Sequence, residues 1–398
     1  MTSKTSIDFN NTTIAFASKS TTQLKKAYLI FSMMNYPQIV NIGSKLINLS
    51  LKWHLPIEWI IKRTLFEQFC GGETIEACQY TIKQLMQANI NTILNYAVES
   101  KQTEVDFDTA CKEIEKTIIS ASRRTNETPF AVLKISSIGS LYLLEKFQHS
   151  PNSLNAEELS RFENIKKRVL HLCQQGYTNG VKILFDAEES WIQNVIDTIG
   201  LEMMKKYNTM NQTWIYITYQ MYRKNSLAYI YNHHQLAKNQ HFRIGAKLVR
   251  GAYLEQEHIY AQQKGCSNPI FNNKIETDHA FNEAIQYLLA HLDCFSVCIA
   301  THNEESCRLS IEIMQKLNIN PQDTRVLFAQ LLGMSNQLSY NLAQAGYHVA
   351  KYVPYGPIRN AIPYLLRRAQ ENKSIQGQSS REYLLLKKEL ERRKRTQN

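Results

Sequence analysis

The sequence predicts an α/β chain, a (β/α)8 barrel of the TIM type behind a helical N-terminal region. Three observations carry this. About eight short apolar or β-branched runs recur after residue 90. Amphipathic stretches of helical length separate them. The alternation extends over roughly 280 residues, close to the roughly 250 of a typical barrel. Such alternation calls for a parallel sheet, because a strand returns parallel to its predecessor only through a crossover, usually a helix. The rival architecture is an open doubly wound sheet. No G-x-G-x-x-G follows any of the runs, which weakens the dinucleotide-binding form of that rival. At 398 residues, 43% hydrophobic and 20% charged, the composition is ordinary and globular, enough for one large barrel or two smaller domains.

Taken in order, the first half-dozen to dozen residues read as a polar arm. From Leu24 to about Gln87 the pattern is helical: a stretch starting at Leu24, then Ile39 to Leu51, then Ile57 to Phe69. Pro37 and Pro56 punctuate it and Gly71-Gly72 closes it. The strand-like runs follow at 91–96, 131–136, 181–186, 213–219, 244–249, 296–301, 326–330 and 348–353. Helix-like stretches such as 189–206, 224–239, 277–291, 303–317 and 335–345 lie between them. After the last run, Pro363 suits the first position of a helix. Tyr364, Arg367, Arg368 and Glu371 then fall at i, i+3, i+4 and i+7, on one face. The organisation expected is a helical region at 1–88, a catalytic barrel at 89–375 and a basic helix or tail at 376–398.

The formal charge is +11, from 46 Lys+Arg against 35 Asp+Glu. Such an excess points to nucleic acid, an anionic membrane surface or an anionic ligand. Zinc spacing, an RNP-like motif and a basic recognition helix outside the tail are all missing, which counts against nucleic acid. Part of the excess is local: Lys387, Lys388, Arg392, Arg393, Lys394 and Arg395 stand against Glu389 and Glu391. That reads as a solvated helix end, or as a basic tail on anionic lipid. The eight cysteines form no CxxC pair and read as reduced thiols, mostly core filler, with no metal site. No apolar run reaches the roughly 18 residues of a membrane span. The N-terminus lacks a signal core, and with no Arg before Arg63 a mitochondrial transit peptide is not expected.

In such a barrel the chemistry sits at the C-terminal strand ends. Polar residues recur there: Lys134, Ser136, Asp186, Gln220, Arg250, Thr301-His302-Asn303, Gln330 and Tyr352. Lys134 inside an apolar run calls for an anionic partner, since burying it unpaired is costly. Asp186 reads equally as a cap for the helix after its strand, and His302 alone as a capping or core residue. Arg367 and Arg368 beside Tyr364 make a clamp for a carboxylate, because guanidinium binds it bidentately and keeps its charge. Glu371, one turn on, can pair with an arginine. A surface helix with i,i+4 ion pairs is the plainer reading of the same residues.

The segment Pro363-Tyr-Leu-Leu-Arg-Arg-Ala-Gln-Glu-Asn372, introduced by Tyr352-Val-Pro-Tyr-Gly-Pro357, resembles the signature of the proline dehydrogenase family. Lys247-Leu-Val-Arg-Gly-Ala-Tyr-Leu-Glu255, Asp186-Ala-Glu-Glu189, Ala300-Thr-His-Asn303 and Gln330-Leu-Leu-Gly-Met334 resemble four further motifs, in order. The resemblance runs from about Asn91 to Asn372 and is nearer the single-function enzymes of mitochondria and related bacteria. It implies a distorted barrel with its final helix over the mouth. It implies non-covalent FAD, oxidation of L-proline to Δ1-pyrroline-5-carboxylate by hydride transfer, and electrons passed to a membrane quinone. Arg367 and Arg368, assisted by Lys134, would hold the proline carboxylate. Tyr352 and Tyr364 would wall the ring, Leu248 would pack on it, Asp186 would make a polar contact, and Glu371 would orient an arginine. No acid or base is assigned. Lys247, Val249, Gly251 and Ala252 would contact FAD. Gln220 would meet the isoalloxazine edge, Thr301, His302 and Asn303 the adenosine and phosphates, and Gln330 the ribityl or flavin region. Some family members have Arg where Lys247 stands, so the contact is kept without the bidentate geometry. Hydroxyproline oxidation is the alternative, and Tyr352, bulky where the hydroxyproline branch is smaller, favours proline. The enzyme is expected to be cytoplasmic and peripheral on the inner membrane face, or on the matrix side of a mitochondrion. A separate pyrroline-5-carboxylate dehydrogenase is expected to take the product.

Overall fold

The computed structural model describes residues 7–53, 55–97, 103–124, 130–374 and 378–397. Eight strands close into a barrel in sequence order. They are β1 (Ile90–Tyr96), β2 (Phe130–Leu133), β3 (Lys182–Phe185), β4 (Ile215–Gln220), β5 (Ile244–Val249), β6 (Phe295–Ala300), β7 (Val326–Leu331) and β8 (Val349–Tyr355). Their pairing is parallel. Every residue of β2, β4 and β8 is buried. Parallel strands covered on both faces read as continuous apolar runs, which is why these segments stand out in the sequence.

All eight expected strands form, shifted by a residue or two. The exception is β2, which stops at Leu133 rather than running to Ser136. The chain turns there into a 3-10 helix at Ile135–Ser137, and this leaves Lys134 just past the strand end. Helices Ser190–Tyr207, Ser226–Gln240, Lys274–Ala290, Glu304–Lys316 and Asn336–Gln344 match the expected stretches.

The chain forms two compact units, one of residues 1–99 with 330–398 and one of residues 100–329. In the first, β1 lies against β8 with Ile93 opposite Tyr352. Helix Thr21–Met34, opened by a Ser20–Gln23 capping box, brings Leu24, Ile30 and Phe31 into a core with Phe69, Ile362, Leu365, Leu385 and Leu386.

Two expectations change in this unit. Pro363 does not open the last barrel helix, which runs from Ile358 to Ser374 with Pro363 inside it. Pro357 opens it instead, its carbonyl accepting from the backbone N–H of Asn360 (3.0 Å) and Ala361 (3.1 Å). An interior proline forgoes one ladder bond and costs on the order of 3 kcal/mol; the packing of Ala361, Ile362 and Leu365 offsets it. The basic C-terminal segment is a helix, Gln378–Gln397, and it is not merely solvated. Tyr383 stacks on Tyr28 at 4.8 Å. Glu389, fully buried, receives Arg392 and Arg393 at 2.8 Å. Arg393 also donates to the carbonyls of Lys19 and Phe16, and Lys388 to that of Asn10.

Candidate functional site

In the unit of residues 100–329, β5 carries Lys247 in register with Thr218 of β4 and Cys298 of β6. Its ammonium lies 2.6 Å from Asp186 Oδ1, just beyond β3. Two residues selected for different ligands are therefore joined directly. Asp186 is not the cap of helix Ser190–Tyr207. The carboxylate of Glu257 does that from another helix, accepting from Ser190 N at 2.7 Å and Ser190 Oγ at 2.6 Å. Leu248 is fully enclosed, and strand alternation puts it on the opposite face from Lys247.

A second acid organises the same region. Glu188, 1% exposed, accepts from Ser136 N at 2.9 Å and from the Ser136 hydroxyl, and its carboxylate lies 3.8 Å from Lys134 Nζ. Gln220 Nε2 donates to its backbone carbonyl at 2.7 Å, and Gln193 accepts from its N–H at 2.7 Å. Burial pushes the Glu188 carboxyl up to about 7, against the pull of Lys134 and Ser136. The anion that Lys134 called for is thus supplied from within the chain. In the sequence Glu188 stands out only as part of the Asp186–Glu189 motif; an acid three residues past the end of β3, with a lysine just past the neighbouring β2, is the signal it held.

Arg250, at the end of β5, is a third centre. It donates to Asp278 (2.6 Å), Thr301 Oγ1 (2.7 Å) and Ser306 Oγ (2.9 Å), and its guanidinium lies 4.3 Å from the Phe281 ring centroid. Thr301 Oγ1 also accepts from Asn303 N, and the Asn303 side chain caps helix Glu304–Lys316 through Ser306 N at 3.0 Å. His302 lies between them, partly exposed. At Gly251 the backbone has φ +138, and a Cβ would sit 2.5 Å from the Tyr222 ring. Only glycine fits there. Val249 is partly exposed and Ala252 exposed beside it.

In the unit of residues 1–99 and 330–398, Tyr352, Tyr364 and Arg368 are all buried, and the Arg368 guanidinium lies 5.2 Å from the Tyr364 ring centroid. Arg367 is partly buried. The helix that bears them is therefore not a surface helix laced with exposed ion pairs. The side chain of Glu371 lies outside the described residues. Gln330 is buried and accepts from Ser339 Oγ at 2.8 Å. On β8, Lys351 is wholly enclosed; it donates to the carbonyls of Leu331 (3.2 Å) and Met334 (2.5 Å). Burial draws its ammonium down to about 7, against the attraction of Glu382. Glu382, itself buried, accepts from Ser335 N at 3.0 Å and anchors the C-terminal helix. The described residues hold no cluster of His, Cys, Asp and Glu fit for a metal ion, and all eight cysteines are free.

The proline dehydrogenase family model matches residues 78–381. The chain belongs to the proline dehydrogenase family. Proline dehydrogenase 1, mitochondrial, of Dictyostelium discoideum is 32% identical over 96% of this chain and 74% of its own length. Hydroxyproline dehydrogenase of Xenopus laevis is 29% identical over 95% and 88%. The crystal structure of proline utilization A from Bdellovibrio bacteriovorus, inactivated by N-propargylglycine, aligns with a TM-score of 0.72 at 18% identity. That alignment covers 91% of this chain and 38% of the other, and it supports the barrel fold. As a proline dehydrogenase the chain is an oxidoreductase that acts on proline.

Proposed function

We propose that this proline dehydrogenase converts L-proline to Δ1-pyrroline-5-carboxylate with non-covalent FAD, and passes the electrons to a membrane quinone. The observation that carries the cofactor is a row of nearly buried polar side chains at or near the C-terminal ends of three successive strands. They are Gln220 on β4, Lys247 on β5 and Thr301 after β6. Beside them the Gly251 backbone admits no side chain. An amide, an ammonium, a hydroxyl and a bare stretch of main chain suit a ligand with a hydrogen-bonding ring edge and a pyrophosphate. Lys247, Val249, Gly251, Ala252 and Gln220 would hold the flavin portion with Gln330, and Thr301, His302 and Asn303 the adenosine and phosphates. Bound FAD would supply the oxidant that takes a hydride from C5 of proline.

The protein's own groups bind and orient. Arg367 and Arg368 hold the carboxylate, with Lys134 kept in place by Glu188. Fixing that end sets the ring in one pose, which is where most of the advantage of an enclosed site arises. Tyr352 and Tyr364 exclude water from the ring, while Leu248, enclosed on the face of β5 opposite Lys247, packs behind that strand. Asp186, tied to Lys247, makes a polar contact near the ring. Cations around the carboxylate disfavour a further positive charge nearby, so they favour the neutral amine that hydride loss requires.

The purified protein is expected to be yellow, and L-proline should bleach its flavin absorption. A colourless preparation that takes up no added FAD would refute the cofactor assignment. Hydroxyproline oxidation is the second reading, and the bulk of Tyr352 favours proline; the two values of kcat/KM, measured side by side, decide. Transfer to a quinone calls for a peripheral membrane contact, since no helix among the described residues is long and apolar enough to cross a bilayer. That contact would lie on the cytoplasmic face, or the matrix face in a mitochondrion. A separate pyrroline-5-carboxylate dehydrogenase would consume the product.

A further inference from the structure

Helix Pro37–Lys52 turns an apolar ridge towards solvent. Ile39, Ile42, Leu46 and Leu49, with Trp53 one residue past the helix end, are 48–69% exposed. At 3.6 residues per turn these five positions fall within about 80° of one another. On the other side Val40 and Ile47 pack into the core of the unit. Lys45 and Lys52 are exposed along one flank of the ridge. The adjoining segments continue the theme: Leu29 and Met33 before it, and Trp59 after it, are also exposed. Among the described residues, 11 of the 26 exposed large hydrophobic side chains lie between residues 29 and 60, under a tenth of the chain. From Phe9 to Ile57 there is no Asp or Glu, while Lys19, Lys25, Lys26, Lys45 and Lys52 are present.

Soluble proteins scatter exposed apolar residues singly, and a concentrated patch marks something that covers it. An outward apolar ridge, lysines beside it, tryptophans at its end and no acids together describe a helix that lies in a bilayer interface. We propose that helix Pro37–Lys52 seats the protein on an anionic bilayer, with Ile42, Leu46 and Leu49 at the acyl boundary and Lys45 and Lys52 reaching headgroup phosphates. Charge argues for lipid over a second copy of the chain, because two copies would bring like-charged surfaces face to face. The basic C-terminal helix is less suited to the task, since Lys388, Arg392 and Arg393 are already engaged with the protein. The inference deepens the membrane-quinone reading above by locating the contact.

The test uses full-length flavin-loaded protein with vesicles of phosphatidylcholine alone or mixed with phosphatidylglycerol. Co-sedimentation is measured together with tryptophan emission, and proline oxidation is followed with a soluble dye as acceptor. The wild type should sediment with the mixed vesicles, less so as salt rises, and its emission should shift to the blue. The double variant Ile42→Glu/Leu46→Glu should lose at least about ten-fold in partitioning while its dye-linked activity stays at the wild-type level. A Lys387→Glu/Lys394→Glu/Arg395→Glu variant should bind as the wild type does. Three results would each overturn the proposal: no wild-type binding to mixed vesicles, undiminished binding by the double variant, or loss of binding in the tail variant alone. A wild-type dimer that the double variant splits, without vesicle binding, would assign the ridge to a protein interface and overturn it too. Dye-linked activity separates the two readings. If the wild type oxidises proline but ignores vesicles, only the lipid inference fails; if it binds vesicles but leaves proline untouched, only the catalytic reading fails.

Discussion

Removing one charge of the Lys247–Asp186 pair should harm the protein more than removing both. The ions are 2.6 Å apart, with side chains 8% and 22% exposed. At an effective dielectric of about 20 their attraction is on the order of 6 kcal/mol. Desolvation of two ions costs several kcal/mol each, so the intact pair is close to neutral in net stability. Asp186→Asn keeps an acceptor but withdraws the countercharge from a buried ammonium. The register neighbours Thr218 and Cys298 bring no negative charge in its place. The expected loss is about 3 kcal/mol, the lower end of the range for removing one member of a buried ion pair. Lys247→Met leaves the more exposed partner behind and should cost about half as much. The double variant Asp186→Asn/Lys247→Met should return to within about 1 kcal/mol of the wild type. Chemical denaturation of the four flavin-free proteins at one pH closes the cycle. If Asp186→Asn costs less than about 1 kcal/mol, or if the two single losses simply add, the pair is not coupled as its geometry demands.

Other outcomes follow from the same structure. Arg367→Met and Arg368→Met should each raise KM for proline by about 10–100-fold, the worth of a charged hydrogen bond, with the flavin spectrum intact; ordinary proline kinetics in both variants would remove the carboxylate assignment. Burial raises the Glu188 carboxyl from 4.5 to about 7. Its contribution to stability is therefore fully present below about 4.5 and lost as the pH rises through about 7. The difference in Tm between wild type and Glu188→Gln should fall across that window, and a difference that is flat with pH would show that Glu188 does not titrate there. Gly251→Ala forces a side chain onto φ +138 and into the Tyr222 ring. A loss of about 1–3 kcal/mol is expected, together with reduced flavin per chain, and an unchanged flavin ratio and Tm would contradict it.

The barrel was legible because strands buried on both faces leave continuous apolar runs, as Ile215–Gln220 and Val349–Tyr355 show. Local chemistry was less legible where the decisive partner is remote in sequence. Nothing near Ser190 announces that Glu257 caps its helix, and nothing near Lys134 distinguishes Glu188 from an ordinary first-turn acid. Pro357 and Pro363 both suit a helix start, and the backbone bonds onto the Pro357 carbonyl decide between them. The C-terminal run looked solvated because its cations are conspicuous. Tyr383, Leu386 and Leu390, at i, i+3 and i+7, were the signal that one side of it packs. For helix Pro37–Lys52 the periodicity marks an apolar face but not whether protein or solvent meets it; only the burial of Val40 and Ile47 opposite shows that the ridge is outward.

The pairing of β1 with β8 ties the first part of the chain to the last. During synthesis at about 5–20 residues per second, roughly 250 residues must emerge after β1 before its partner exists, a wait on the order of tens of seconds. Over that interval one margin of β1 has no neighbour to bond, and Leu24 and Phe31 await Leu385 and Leu386. A premature stop within the final helix would therefore do its damage at the opposite terminus, by stripping the early helices of the surface they close upon.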